Sequence, residues 1–293
     1  AFSDSPITRF VALPHTEGCG VSGGPSQDLF ERHLFGYLRH PAVARALLLE
    51  HGCEKVHHEC LRKRMVALGI DPDQFGWASI QGDGGTAGAI NRARNWFLHA
   101  AVDIDSPAII PFGPGRPRIG IALDLAPDGG VESLVSLLAS RLICLGCTII
   151  LACGFPTATT VVEDKTALAT GRLATGEIPP DPGFWVMDAA SDHPVETLTS
   201  LGSTGADLLL VLTSDPLSQG HLFIPSLIIR ATDTGEPSTL PIPDLRLSGV
   251  PDADCTRILE SAAAVLQRSY LPGCQKVGNV DFQIPRGPHG VSV

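Results

Sequence analysis

RFVALPHTEGCGVSGG, residues 9–24, reads as a short apolar strand running into a glycine-rich loop that carries His15, Glu17 and Cys19. The same gesture recurs twice. ARALLLEHGCEK (44–55) is an apolar strand ending in His51, Cys53 and Glu54, and GWASIQGDGGT (76–86) is another ending in Gln81, Asp83 and paired glycines. A helical pattern follows each, so the strands are expected to lie parallel and to deliver all three loops to one edge of a sheet. In open α/β sheets that carboxyl edge is where ligands bind.

Working outward, Leu29, Phe30, His33, Leu34, Tyr37 and Leu38 have helical spacing, with Ser26 as the expected N-cap and Pro41 beyond the end. A strand is expected at about 46–50, a helix from Glu54 to about Leu68 closed by Gly69, and an amphipathic helix from Thr86 to about Ala101 with Ile90, Ala93, Trp96 and Phe97 on its apolar face. SPAIIPFGPGRPR (106–118) is too rich in proline and glycine to continue either element. It reads as a linker between a first unit, 1–105, and a second, 119–293. The second unit restarts with the strand RIGIALDL, a helix from about 131 to 145 and the buried strand CTIILAC, and residues 155–183 look like an excursion. GFWVMDAA, ADLLLVLTS and SLIIRAT are further strands, HPVETLTSLGSTG is a helix, and a last helix near 252–270 is expected to be capped by Asp252 or Asp254. The fold class is therefore α/β, two alternating strand–helix subdomains with mostly parallel sheets.

Composition narrows the function. A formal charge of −10 argues against a nucleic-acid partner, which needs a basic face, and requires local cations wherever an anion binds. No apolar run is long enough to span a membrane and no leader pattern opens the chain, so a cytoplasmic protein is expected. Eight cysteines in 293 residues are too dilute for a disulfide scaffold, and most should be reduced and buried.

PHTEGCG (14–20), HPAVARALLLEHGCE (40–54), IQGDGGT (80–86), the block 186–214 and the closing DFQIPRGPHGVSV (281–293) resemble, in order, the altronate and galactarate dehydratase family. The resemblance implies metal-dependent removal of water from a sugar acid to give a 2-oxo-3-deoxy acid. It implies a divalent metal, Fe²⁺ first, with Mn²⁺ or Zn²⁺ as alternatives, and a small-molecule sugar acid as partner. A homo-oligomer or a separate small N-terminal domain is the further partner it leaves open. Two family motifs depart: LDLAPDGG (123–130) stands in place of Glu-Cys-Gly-Gly-Ser-Asp, and TSDPLSQGH (213–221) in place of Thr-Gly-Arg-Gly-Thr-Pro. The chain thus reads as a divergent member or a fragment of a longer polypeptide.

The residues that the chemistry would use follow. Cys19 and Cys53, with His15 beside them and Asp124 for the missing third cysteine, are the expected metal ligands, since thiolate with imidazole suits Fe²⁺ or Zn²⁺ better than Mg²⁺. His15, Glu17 and Glu54 are the expected acid–base groups. Gln81, Gly84, Gly85 and Thr86 would meet the substrate carboxylate at a helix N-terminus, and Ser214, Gln219 and His221 would line the mouth of the second unit. Against these stand plainer readings. A cysteine at a strand end is usually a small buried hydrophobe, as expected for Cys60, Cys255 and Cys274, and Cys144 with Cys147 lacks the second pair that zinc needs. His57 and His58 read as a solvated helix face, and Arg172, Arg230 and Arg286 as surface charges. Two other functions remain open: a hydrolase with Cys53 as nucleophile, and a sugar-acid-binding module without turnover.

Overall fold

The computed structural model describes residues 7, 9–15, 23–100, 104, 110, 112–125, 129–153, 169–189, 191, 193–215, 218–231 and 243–286. The fold is α/β, and every pairing between its strands is parallel. The first hundred residues form α1 (Gly24–Leu38), β1 (Leu47–Glu50), α2 (His58–Ala67), β2 (Gly76–Ser79) and α3 (Thr86–Ala100). Among the described residues β1 pairs only with β2, Glu50 opposite Ser79 at the carboxyl end.

The expected strand in residues 9–13 does not form. These residues pair with no strand, Phe10 is 48% exposed, and the segment is anchored instead by Arg9, whose guanidinium donates to the carbonyls of Leu222 and Phe223. An apolar run becomes a strand only where a neighbour offers it an edge. Three smaller expectations also change. Gly23, not Ser26, occupies the N-cap of α1; α2 begins at His58 rather than Glu54; and Ile90 on α3 is 60% exposed. Gly69, with φ +71°, does close α2.

The larger sheet has seven strands: β3 (Arg118–Asp124), β4 (Thr148–Cys153), β5 (Gly171–Leu173), β6 (Phe184–Asp188), β7 (Leu208–Thr213), β9 (Ser226–Arg230) and β10 (Leu245–Arg246). β5 falls within the stretch expected to be an excursion. Their order is β10-β9-β7-β3-β4-β6-β5, so the chain winds outward from β3 through β4 and then returns to add β7 on the other side. That reversal makes a crevice between the carboxyl ends of β3 and β7. A two-residue strand β8 (Gly220–His221) pairs with β11 (Val280–Asp281).

Period-two alternation sorts the strand side chains to two faces. Ile119, Ile121 and Leu123 join Leu208, Leu210 and Leu212 in a core beneath α4 (Gly129–Cys144) and α6 (Pro251–Leu266). Ala122, Leu209, Val211 and Ile228 face the second core, which α5 (Pro194–Ser203) and α1 cover. Fully burying each leucine contributes about 2 kcal/mol. Gly120 has a local reason: a Cβ there would stand 2.6 Å from Leu209 and 3.4 Å from Leu201 of α5. At α6 the cap differs from expectation. Val250 is the N-cap, while the buried Asp254 reaches back to accept from the amides of Ser248 and Gly249. A short helix α7 (Gly273–Val277) completes the described elements.

Polar side chains tie the α1–α5 seam together. His221 Nδ1 accepts from the amides of Phe223 and Ile224, so Nε2 carries the proton and donates to Tyr37 Oη at 2.8 Å; the Tyr37 hydroxyl in turn donates to Thr199 O at 2.6 Å. His40 likewise donates from Nε2 to Ala206 O and accepts the Ala42 amide at Nδ1. His33 donates from Nδ1 to Leu29 O, with Ser200 Oγ 3.0 Å from Nε2. Burial lowers His33 and His40 to about 4 and His221 to about 3. Folded, these rings stay neutral; unfolded, they take up protons near pH 6.5. Their contribution is therefore complete above about pH 6.5 and is lost as pH falls toward 4, by at most roughly 3 kcal/mol each. Urea midpoints measured between pH 7 and 4.5 should fall with a slope approaching three protons, and His40→Gln should flatten that slope by about one. A midpoint constant over this range would contradict the neutral-seam description.

Candidate functional site

Parallel pairing of β1 and β2 sends two loops over one edge. The first, His51–Glu54, is shaped by its own carboxylate: Glu54 Oε1 accepts the His51 amide at 2.6 Å and Oε2 accepts the Gly52 amide at 2.8 Å. Partial burial opposes ionisation of Glu54, but the amides of His51, Gly52, Glu54 and Cys53 prevail and hold its carboxyl below the usual range. Both oxygens are thus occupied in shaping the loop, which is poor ground for the acid–base role expected of Glu54.

The second loop, 80–85, is wound by glycines. Gly85 donates to Ile80 O at 2.7 Å, Asp83 accepts the Ser79 amide at 2.8 Å, and Gly84 and Gly85 have φ of +81° and +103°. A Cβ at Gly84 or Gly85 would meet nothing within 4 Å, so the space above them, leading to Thr86 at the start of α3, is open. The loops touch. Gly52 has φ +109°, and a Cβ on it would lie 2.8 Å from the Gln81 Cβ.

Around that contact stand three functional groups. Cys53 Sγ lies 3.3 Å from His51 Nδ1, which is 3.4 Å from Gln81 Nε2. A fourth group sits behind them. His58 begins α2, its amide donates to Glu50 Oε2 at 2.8 Å, and its Nδ1 is 3.5 Å from Glu50 Oε1. Its Nε2 is buried with no hydrogen-bond partner among the described residues, and the ring meets Trp77 edge-on. Burial, helped by Arg62, lowers the His58 pKa against the opposing charges of Glu50, Glu54 and Asp83. The expected solvated face is therefore a half-buried imidazole held by a carboxylate. Sequence reasoning also left His51 out of the site, although its place beside Cys53 at a strand end was the signal.

The remaining expected site residues scatter. His15 lies against Phe30 of α1, ring centroids 5.1 Å apart. Glu17 and Cys19 fall outside the described residues. Asp124 ends β3 in the larger sheet, where Thr213 Oγ1 donates to its Oδ2 at 3.0 Å and Ser214 N to its carbonyl. Ser214 is exposed and Gln219 half-buried at that edge. His221 is not at a mouth: it is 0% exposed, stacked on Tyr37 in the seam, because both ring nitrogens are needed inside. Arg230 is not a surface charge; it is 4% exposed.

For a metal, His51 Nδ1 and Cys53 Sγ stand at the separation that two ligands of one tetrahedral ion would have, about 3.5 Å for bonds near 2.1 and 2.3 Å. They fit as half of a soft-metal centre. Among the described residues no cluster of three or more His, Cys, Asp or Glu is gathered that would complete one. Of the other cysteines, Cys255 and Cys274 are buried as expected, Cys60 is half-buried and Cys144 exposed. A separate cleft of about 380 Å³, lined by Phe75, Trp77, Arg92, Asn95, Trp96 and His99, lies along α3 rather than at the loops.

Residues 3–101 match the family model for the D-galactarate dehydratase/Altronate hydrolase, second domain. Over this stretch the chain is similar to that domain. The stretch contains both loops, with His51, Cys53, His58 and Gln81. No curated protein matches the chain. Among the described residues no helix is long and apolar enough to cross a membrane.

The contact between the two loops is open to a direct test. Gly52→Ala should destabilise the protein by about 1 to 3 kcal/mol, since it combines an unfavourable φ with a clash on Gln81. Chemical denaturation would measure this, and a change within about 0.5 kcal/mol would mean that the loops are not in contact.

Proposed function

We propose that the chain is a hydro-lyase acting on a sugar acid of the altronate or galactarate type, with its reacting centre at the carboxyl ends of β1 and β2. One observation carries this reading: the family domain brings a thiol, an imidazole and a carboxamide together at a single strand edge, beside an open glycine loop. The substrate carboxylate is received in the open space above Gly84 and Gly85 by the N-terminus of α3, whose partial positive charge counters the acidic surface. Gln81 orients a hydroxyl.

His58 Nε2 takes the proton from the carbon beside the carboxylate; its ring is neutral at pH 7 and held by Glu50 on the opposite side. The neighbouring hydroxyl leaves with a proton from Glu17 or His15, and the resulting enol becomes the 2-oxo acid. His51 and Cys53, with Cys19 and His15, are the residues that would hold a divalent ion, Fe²⁺ first. Such an ion supplies Lewis-acid stabilisation of the enediolate. A cytoplasmic setting and a homo-oligomer or a companion N-terminal domain belong to the same proposal.

The close approach of His51 to Cys53 also favours a second reading, a cysteine hydrolase. Against the sharp nucleophile turn that such enzymes use, seven residues, 51–57, separate the end of β1 at Glu50 from the start of α2 at His58. Assays for 2-oxo acid across hexonates and hexarates, run with metal analysis of the purified protein, separate the two. Turnover should require metal, His58→Gln should lower kcat by about 10² to 10⁴ with a smaller effect on KM, and Cys53→Ser should lower metal content. Stoichiometric alkylation of Cys53 by iodoacetamide, unaffected by chelators and with no 2-oxo acid formed, would overturn the lyase in favour of the hydrolase.

A further inference from the structure

Four residues of α3, Arg92, Asn95, Trp96 and His99, recur at the three- and four-residue spacing that gathers side chains on one face of a helix. That face lines the cleft of about 380 Å³, whose other walls are Phe75 and Trp77, both buried. Small-molecule sites usually enclose between about 300 and 1,000 Å³, so the space suits a single small ligand. Trp96 closes onto β2 because residue 76 is glycine: a Cβ there would stand 2.5 Å from the indole Cδ2 and 2.8 Å from Cε2, the two atoms that its rings share. Three aromatic side chains thereby face one cavity from the strand and the helix.

The polar groups of the cleft are uncommitted. His99 Nδ1 lies 2.6 Å from Asn95 O, a carbonyl that can only accept, so Nδ1 donates and Nε2 of the neutral ring is an acceptor. Among the described residues neither Nε2 nor the Asn95 carboxamide enters a hydrogen bond. Arg92 donates from Nε to Trp77 O at 3.1 Å, which leaves its two terminal nitrogens as donors. Stacking surface and both kinds of hydrogen-bonding group are thus presented to one ligand.

From this arrangement we infer that the cleft is a binding site for a purine base or nucleoside, its ring held among the aromatic side chains and its edge read by Asn95 and His99. A carboxamide supplies the donor–acceptor pair that matches the N6 and N7 edge of adenine, and stacking on aromatic side chains is a general means of holding a base. A sugar is a poorer occupant: it needs an open aromatic face, and one face of Trp77 carries the Arg62 guanidinium 4.2 Å from the ring centroid. An organic cation, which aromatic walls alone would take, is opposed by Arg92. A polyphosphate is opposed by the formal charge of −10 and by Asp83, whose Oδ1 is 3.9 Å from Arg92 Nε. The site uses none of the groups proposed for the lyase, so the two readings stand or fall apart.

Isothermal titration of the full chain with adenosine, ATP and D-galactose tests the assignment in wild type, Asn95→Ala, His99→Ala and Cys53→Ser, with melting curves to show that each variant folds. Wild type should bind adenosine at one site, and Cys53→Ser, altered only in the β1 loop, should bind it equally. Asn95→Ala should weaken adenosine binding about 5- to 100-fold, the loss of one two-bond contact to a base, and His99→Ala about 2- to 10-fold. ATP should bind more weakly than adenosine, and galactose not at all. Unchanged adenosine affinity in Asn95→Ala overturns the assignment; if that variant does not fold, unchanged affinity in His99→Ala does so. No adenosine binding by wild type, ATP or galactose bound as tightly as adenosine, or an equal loss in Cys53→Ser would each overturn it too.

Discussion

Parallel pairing is the constraint on which the site depends. Two parallel strands cannot be joined by a tight turn, so each must end in a loop and return through a helix, and their loops necessarily leave from the same edge. β1 and β2 show the smallest version: four residues each, in register from Leu47 opposite Gly76 to Glu50 opposite Ser79. With the strands fixed, Gly52 is pressed onto Gln81 and His51 is brought between Cys53 and the carboxamide. The geometry of these loop side chains is thus a consequence of strand direction rather than of any long-range contact by the side chains themselves.

The same constraint operates in the seven-stranded sheet with different side chains. There the row Asp124, Thr213 and Arg230 occupies the carboxyl edge, while the seam of His33, Tyr37, His40 and His221 lies between α1 and the larger sheet's helix α5. The two histidine populations differ in kind. Those of the seam have both ring nitrogens engaged or closely approached and serve to join elements; His58 keeps one buried nitrogen without a partner among the described residues. An imidazole whose hydrogen bonding is complete has no ring nitrogen left to engage, whereas His58 is held on one side by Glu50 and carries on the other a buried nitrogen without a partner among the described residues.

Much of the fold was legible. The alternation of apolar runs with helical periodicity placed β1, β2, β3, β4, β7 and β9 within a residue or two, because buried parallel strands are near-continuous aliphatic runs. RFVAL misled for the same reason, since an apolar run does not state whether a neighbouring edge exists. The site was legible only by loop. Cys53, Gln81 and the paired glycines fall where expected, but whether a polar residue is spent on its own backbone, as Glu54 is, depends on loop conformation. His221 and Arg230 each sit beside aliphatic residues, and only tertiary packing decides that one becomes a saturated joint and that the other is buried at all.

The central claim is that the loops after β1 and β2 form one ligand-binding unit. Amide hydrogen exchange of the full chain, followed by mass spectrometry with and without galactarate, addresses it most directly. The account expects exchange to slow in residues 51–54 and 80–86 together and to the same degree. Slowing confined to one of the two loops, or turnover of galactarate with neither loop affected, would contradict it.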